Sequence, residues 1–171
     1  MNYMFRDLKS NEIDARIAQI TENGISLLLY KDARVDQDIL DETVGAMNWQ
    51  RKHTRENANC IVEIWDSEKK QWIAKEDTGT ESFTEKEKGL ASDSFKRACF
   101  NWGIGRELYT APFIWIPKDK CNITKTAQGK LTCKDKFYVE AIEITDKVIT
   151  GLAIINGTTK QRVFSGKRDI K

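Results

Sequence analysis

The segment 84–102 (TEKEKGLASDSFKRACFNW) constrains the fold more than any other part of the chain. Thr84 and Glu87 have the spacing of a capping box, in which each side chain binds a free backbone N–H at the start of a helix. Gly103 and Gly105 follow the segment, and glycine commonly ends helices. We therefore predict a helix over 84–102. Its buried face is predicted to consist of the apolar residues at helical spacing, Ala91, Phe95, Ala98, Cys99 and Trp102.

Lys96 and Arg97 lie beside this apolar stripe, near its edge. A single lysine or arginine usually belongs to a solvated protein surface. These two differ because a buried helix would hold them in place as fixed cations. They are therefore the first candidates for a binding site.

Most of the remaining pattern predicts antiparallel strands. Residues 13–30 are interpreted as two strands joined at Asn23-Gly24, a dipeptide favoured in hairpin turns. The element order is ββ-α-βββ-α-β followed by a C-terminal β-hairpin, which predicts an α+β fold. The further strands are predicted over 49–55, 59–66, 72–76, 111–116, 136–145 and 147–155, and Asp146-Lys147 is interpreted as the turn between the last two.

A second helix is predicted over 37–47, with Asp36 or Asp38 near its N-terminus as the cap. The lysine-rich stretch 117–136 is predicted to be a loop. The basic end of the chain, 160–171, has three open interpretations: order against a neighbouring molecule, contact with DNA, or fraying.

The composition is that of a globular protein, since 40% of the 171 residues are hydrophobic and 32% are charged. No run of about 18 apolar residues exists, so no membrane partner is expected. The segment MNYMFRDLKSNEID lacks the apolar core of a signal peptide, which favours a cytoplasmic protein. The four cysteines have no CxxC spacing and His53 is the sole histidine, so we expect free thiols and no zinc site.

Charge is unevenly divided along the chain. Residues 1–95 carry 13 basic and 19 acidic side chains, a net of −6, whereas residues 96–171 carry 15 basic and 7 acidic ones, a net of +8. This division is typical of a protein with a polyanionic partner, or of subunits whose oppositely charged faces meet.

Few catalytic schemes fit the residue types present. His53 is surrounded by arginine and lysine, has no evident orienting carboxylate, and is therefore not expected to be catalytic. The chain has no GxxxxGK[ST] loop for a nucleotide phosphate. Four carboxylates on one predicted hairpin could hold Mg²⁺ for nuclease chemistry, or could simply be solvated charges at a sheet edge. They are Glu63, Asp66, Glu76 and Asp77.

Binding chemistry is better supported. Lysine and arginine gain affinity for phosphates by releasing condensed counterions, and aromatic rings offer surfaces on which bases stack. Arg16, Arg51 and Lys52 can add to the fixed cations Lys96 and Arg97.

Four segments occur in an order that is typical of one family. The helix SDSFKRACFNWGIGRELY (92–109) has an acidic residue, an apolar residue and a Lys-Arg couple before an aromatic-Gly ending. VGAMNW (44–49) has the form of a step between a helix and a strand. EDTGTES (76–82) has the form of an acidic segment ahead of the helix, and ARIAQITENGISLLLY (15–30) has the form of an opening hairpin. Together they resemble the Rad-fifty-two superfamily of single-strand annealing proteins, including the Sak-type phage recombinases. The resemblance covers about residues 13–110.

The resemblance implies a single DNA-annealing domain (1–171) with a curved antiparallel β-sheet packed on the long helix. The C-terminal strands and the basic tail would occupy 111–171. Subunits would assemble side by side into a ring homo-oligomer, with single-stranded DNA in a basic outer groove and its bases free to pair. Such proteins require no ATP, metal or other cofactor.

The resemblance also assigns DNA-binding residues. Lys96 and Arg97 match the family's inner DNA-contacting pair, and Lys69 and Lys70 lie at a hairpin tip where the family has an outer DNA site. Phe100 stands where the family often has a third basic residue, and is a candidate for base stacking or packing. The predicted inner groove consists of Arg16, Arg51, Lys52, Lys86, Lys88, Lys96 and Arg97.

The predicted function is therefore ATP-independent binding and annealing of complementary single strands in phage homologous recombination, without enzymatic activity. The expected location is the cytoplasm of a bacterial host, at the nucleoid when bound to DNA. A single-strand-binding protein and a phage exonuclease are candidate partners. A metal-dependent nuclease and an RNA-binding or packaging module remain open as alternatives.

Overall fold

The computed structural model describes residues 3–80 and 86–167, without the side chains of residues 86–88. It has two α-helices and eleven strands within this part of the chain. The helices are α1 (Ala33–Val44) and α2 (Lys86–Trp102). The strands are β1 (Asp14–Thr21), β2 (Gly24–Tyr30), β3 (Trp49–Thr54), β4 (Asn59–Asp66), β5 (Gln71–Thr78), β6 (Ile114–Pro117), β7 (Ile123–Lys125), β8 (Leu131–Cys133), β9 (Phe137–Thr145), β10 (Val148–Asn156) and β11 (Gln161–Lys167).

The chain divides into two compact units. The first unit comprises Met1–Asp7 and Asp32–Arg106, and the second comprises Leu8–Lys31 and Glu107–Lys171. All described sheets are antiparallel, so the α+β class is confirmed. The strands do not form one sheet, however, because the β1–β2 hairpin pairs with C-terminal strands and not with β3–β5.

Helix α2 packs on one face of the three-stranded β3-β4-β5 sheet in the first unit. Alternation along β4 places the buried residues Cys60, Val62 and Ile64 on one face, as the sequence pattern predicts. On the helix, Phe95 and Ala98 are among the fully buried residues of the predicted apolar stripe. The helix ends at Trp102, directly before the glycine predicted to end it. The predicted capping residue Thr84 and the side chain of Glu87 lie outside the described residues.

The segment after β5 lies directly against the backbone of α2. The amide of Gly79 donates a hydrogen bond to the Ala58 carbonyl oxygen at 2.8 Å. A Cβ atom at Gly79 would lie 2.5 Å from the backbone nitrogen of Ser94, a separation that real Cβ atoms do not reach. The next residue, Thr80, donates its backbone N–H to Asp93 Oδ2 at 2.8 Å. Glycine is therefore required where this segment crosses the helix.

The second unit contains a six-stranded sheet in the order β11-β10-β9-β1-β2-β6 and a separate β7–β8 hairpin. The predicted β1–β2 and β9–β10 hairpins are confirmed. The second turns at Asp146-Lys147, where both residues have positive φ, 51° and 63°, as a tight hairpin turn requires. Strand β1 joins β9 only through the pairs Asp14↔Tyr138 and Ala15↔Phe137.

Three local predictions differ from the structure. The cap of α1 is Asp32, whose carboxylate accepts the Arg34 backbone N–H at 2.8 Å, so the predicted caps Asp36 and Asp38 were wrong. The helix begins at Ala33, four residues before the predicted start at Gln37, so the prediction missed its first turn. The predicted loop 117–136 contains β7 and β8, whose three-residue strands are too short to give a periodic signal. Residues 161–167 of the basic end pair with β10 as β11.

No helix in the described ranges 3–80 and 86–167 has both the length and the apolar character needed to cross a membrane.

We expect Gly79→Ala to destabilise the protein by about 1–3 kcal/mol, since the added methyl group forces β5 and α2 apart. Chemical denaturation followed by circular dichroism would measure the change in the free energy of unfolding. Gly166→Ala is the control, because its Cβ would meet only the ring edge of Phe164, at 3.3 Å. Equal stability of the Gly79 variant and wild type would contradict the close contact.

Candidate nucleic-acid interface

Lys96 and Arg97 lie on α2 between buried residues and are themselves half-buried. The adjoining Phe95, Ala98 and Cys99 are fully buried, so the backbone that carries the two cations is anchored by packing. Lys96 has no ion pair within 4.0 Å in the described part of the chain. Its charge contributes, behind Arg34, to lowering the pKa of Asp32.

Arg97 lies beside a carboxylate without being bonded to it. Its Nε is 3.7 Å from Asp77 Oδ1, which is too long for a hydrogen bond. This nitrogen is buried and has no hydrogen-bond partner among the described residues. The Arg97 side chain as a whole remains 40% exposed. Arg97 therefore combines a fixed position with a partly exposed side chain that makes no close ion pair.

Arg51 and Lys52 point to opposite faces of the β3-β4-β5 sheet. Arg51 is paired with Val62, which faces α2, and its guanidinium carbon lies 4.6 Å from the centroid of the Phe95 ring. Lys52 is paired with Ile61 on the other face, and its Nζ lies 2.8 Å from Glu63 Oε2. A groove along α2 can therefore include Arg51, whereas Lys52 lies on the far side of the sheet.

The Lys52–Glu63 ion pair lowers the pKa of Glu63. The hydrogen bond from Lys52 is the largest cause that lowers the pKa of Glu63, and Gln50 adds a second hydrogen bond at 2.6 Å. Lys52 is thus occupied by a protein carboxylate, unlike Lys96.

The other predicted site residues are more scattered. Arg16 belongs to the second unit, where its guanidinium carbon lies 5.4 Å from the Tyr30 ring centroid. Lys69 Nζ lies 3.9 Å from Asp66 Oδ2 in the β4–β5 turn, and the neighbouring Lys70 has a positive φ angle. Phe100 is half-buried on α2. The side chains of Lys86 and Lys88 lie outside the description.

The four carboxylates of the nuclease alternative do not come together. Glu63 and Glu76 lie on one face of the sheet, whereas Asp66 and Asp77 lie on the other. Asp66 pairs with Gln71 at one end of the β4–β5 hairpin and Asp77 with Cys60 near the other. Within the described ranges, no group of three or more His, Cys, Asp or Glu side chains is placed to hold a metal ion.

His53 faces α2, and its Nδ1 lies 3.4 Å from Ser94 Oγ. Ser94 is fully buried and its hydroxyl donates to the Asn57 carbonyl oxygen at 2.9 Å, so the pair offers no accessible nucleophile. Burial is the main cause that lowers the pKa of His53, and the charge of Arg51 adds to it. The imidazole is therefore neutral at pH 7.

Sequence reasoning did not identify two neighbours of the predicted cations. Asp77 beside Arg97 could have been found from the register of the β4–β5 hairpin. This register pairs Asp77 with Cys60, a residue of the buried sheet face, and therefore points Asp77 towards the α2 side. Tyr30 beside Arg16 follows in the same way from the pairs Asp14↔Tyr30 and Arg16↔Leu28. Both inferences require the register of strand pairing. A single sequence gives this register only when the turn residues are identified correctly.

We expect the pKa of His53 to lie below the ordinary value of 6.5. Because the folded state then binds its proton less readily than the unfolded state, stability falls as the pH drops below 6.5 and levels off below the folded pKa. NMR titration can measure this cleanly, since His53 is the sole histidine. Arg51→Ala is expected to raise the pKa, whereas Lys52→Ala, on the other face, should leave it unchanged. An unshifted pKa in wild type would contradict the placement of His53 against α2.

No protein-family model, curated protein sequence or solved structure matches this chain. A function is therefore argued from the residues of the site and from the resemblance of the four sequence segments.

Proposed function

We propose that the protein binds single-stranded DNA and anneals complementary strands without ATP, in phage homologous recombination. In this proposal the ββ-α-βββ-α segment, with a curved sheet, is the annealing core of a ring homo-oligomer. The site of action is the cytoplasm of a bacterial host. A single-strand-binding protein and a phage exonuclease would act alongside it.

The observation that carries the proposal is that Lys96 and Arg97 are held in place by a buried helix and, unlike several other basic residues of the described chain, have no close carboxylate partner. Several exposed cations already have protein carboxylates as close partners, and these are less available to a phosphate. Lys96 has no such partner in the described chain, and Arg97 is only loosely associated with Asp77. The closely paired cations include Arg6 with Glu42, Arg34 with Asp32, Lys52 with Glu63, Lys125 with Glu22, and Arg162 with Glu140.

Arg51 lies on the side of the sheet that faces α2. Its guanidinium lies over the ring of Phe95, the residue directly before Lys96. A cation held over an aromatic face is ordered before a ligand arrives, which lowers the entropy lost on binding. The proposed groove in the first unit therefore contains Arg51, Lys96 and Arg97, and excludes Lys52.

These side chains suit contacts with phosphates and do not suit sequence reading. Cations that neutralise phosphates release counterions and bind every sequence alike. Annealing then needs no covalent step, because two strands held extended with free base edges are brought to a high effective concentration. A ring of identical subunits would multiply weak phosphate contacts into tight binding. The charge division between residues 1–95 and 96–171 suits contact between neighbouring subunits.

We expect Lys96→Ala/Arg97→Ala to lower the annealing rate at least about tenfold, because two phosphate contacts are lost. Two complementary labelled oligonucleotides would be annealed with EDTA present and ATP absent. In a plot of log K against log salt concentration, the slope should become less steep by about 0.7 for each lost phosphate contact to a single strand. Strand lengths are checked on a denaturing gel.

The control is Lys118→Ala/Lys120→Ala, which removes the same charge from exposed positions in the second unit. Equal annealing by both double variants would reject the α2 groove. Shortening of the strands in Mg²⁺ would favour the nuclease, and preferential binding of a competing RNA without annealing would favour the RNA-binding module.

Lys69→Ala/Lys70→Ala tests the outer site. If the β4–β5 turn contacts only the second strand, this variant should bind one single strand like wild type but anneal about three- to tenfold more slowly. Fluorescence anisotropy measures the binding and the oligonucleotide assay measures the annealing. A parallel loss in both assays would mean that the two lysines belong to the first-strand site.

A further inference from the structure

We propose that the second unit carries a separate site for unpaired bases on the exposed face of strands β9, β1 and β2. Tyr138 and Tyr30 are its stacking surfaces, and Arg16, Lys134 and Lys136 are its phosphate-binding cations. The inference rests on the proposed function only for the identity of the ligand, single-stranded DNA. All five residues belong to the second unit, so the site is independent of the α2 groove.

The register of three neighbouring strands aligns the two tyrosines. Asp14 of β1 is paired directly with Tyr138 of β9 on one side and with Tyr30 of β2 on the other. Directly paired residues point to the same face of a sheet. The three side chains therefore form one row, with the two tyrosines about 10 Å apart across two interstrand spacings. Tyr138 is 53% exposed and Tyr30 is 37% exposed.

The ring of Tyr138 is positioned by a glycine. A Cβ atom at Gly157 would overlap Cε2 of the Tyr138 ring, so the ring lies directly on the backbone at that position. The amide of Gly157 also donates to the Lys136 carbonyl oxygen at 2.7 Å. An exposed ring that is already fixed loses little side-chain entropy when a base stacks on it.

Lys134 and Lys136 lie on a segment that is held in place by the buried side chain of Asp135. Asp135, between them, is buried, and its Oδ2 accepts hydrogen bonds from the Asn122 backbone N–H at 2.8 Å and from Asn156 Nδ2 at 2.9 Å. Alternation along this extended segment exposes Lys134 and Lys136. The buried carboxylate thus holds both lysines on the side that carries Tyr138.

The charge of this groove suits a polyanion with aromatic bases. The groove has a volume of about 310 Å³, and its lining includes all three cations and both tyrosines. None of the three cations has an ion pair within 4.0 Å in the described part of the chain. Two acidic residues also line it: Asp135, which is occupied by its hydrogen bonds, and Asp14, which lies between the rings. The Asp14 carboxylate can accept from an exocyclic amino group of a stacked base.

The test compares two labelled probes of equal length, oligo(dT) and an abasic deoxyribose-phosphate chain. We expect Tyr138→Ala to weaken binding of oligo(dT) about tenfold, since one base–ring contact is lost, and to leave binding of the abasic chain unchanged. Tyr138→Phe should retain wild-type affinity for both. Lys136→Ala should weaken both probes alike and lower the salt slope by about 0.7. Tyr109→Ala is the matched control, because Tyr109 is 67% exposed in the same unit but does not line the groove.

Equal effects of Tyr138→Ala on the two probes, or no effect on either, would overturn the base-stacking site even if the protein anneals DNA. Should the alanine variant fail to fold, the wild-type protein decides the matter, because equal affinity for oligo(dT) and for the abasic chain would overturn a base-stacking site. Conversely, base-dependent binding through Tyr138 in a protein that does not anneal strands would support this site and overturn the proposed function.

Discussion

The close approach of Gly79 to the backbone of Ser94 determines how the first unit is assembled. Because no side chain separates the two segments, α2 lies directly against the end of β5. Phe95, Ala98 and Cys99 are then fully buried, and the remaining helix surface is left to Lys96, Arg97 and Phe100. The position of the proposed DNA-binding cations is thus a consequence of how closely the helix packs.

The second constraint is the pairing of basic side chains with carboxylates. Basic residues are spread over the whole chain, but the folded protein pairs several of them with nearby carboxylates and leaves others without a close ion pair. Arg16 and Arg51 each lie over an aromatic ring, which orders a cation without neutralising it. The two proposed sites therefore combine cations that lack a close ion pair in the described chain with a position fixed by packing against buried residues or an aromatic ring.

The two sites offer different chemistry. The proposed α2 groove would present cations to a nucleic-acid backbone, whereas the β9-β1-β2 face presents two exposed tyrosines with cations beside them. A strand held only by its phosphates keeps all its bases free to pair, and a stacked base is withheld from pairing until it is released.

Local patterns were sufficient for many elements. The period of the apolar residues identified α2 and its buried face, and turn residues identified the β1–β2 and β9–β10 hairpins. The cap of α1 at Asp32 was missed, because several nearby aspartates could provide a cap. The β7–β8 hairpin was missed because its strands are too short for periodicity to appear.

The sequence by itself therefore determined the fold class, the long helix and the candidate cations on it. Only the tertiary structure decided which sheet each hairpin joins, that Arg51 and Lys52 lie on opposite faces, and that Lys52 is paired with Glu63. The physical reason is range. Helical periodicity and tight turns depend on residues a few positions apart, whereas the pairing of β1 with β9, the Lys52–Glu63 ion pair and the row formed by Tyr138, Asp14 and Tyr30 join residues more than ten positions apart.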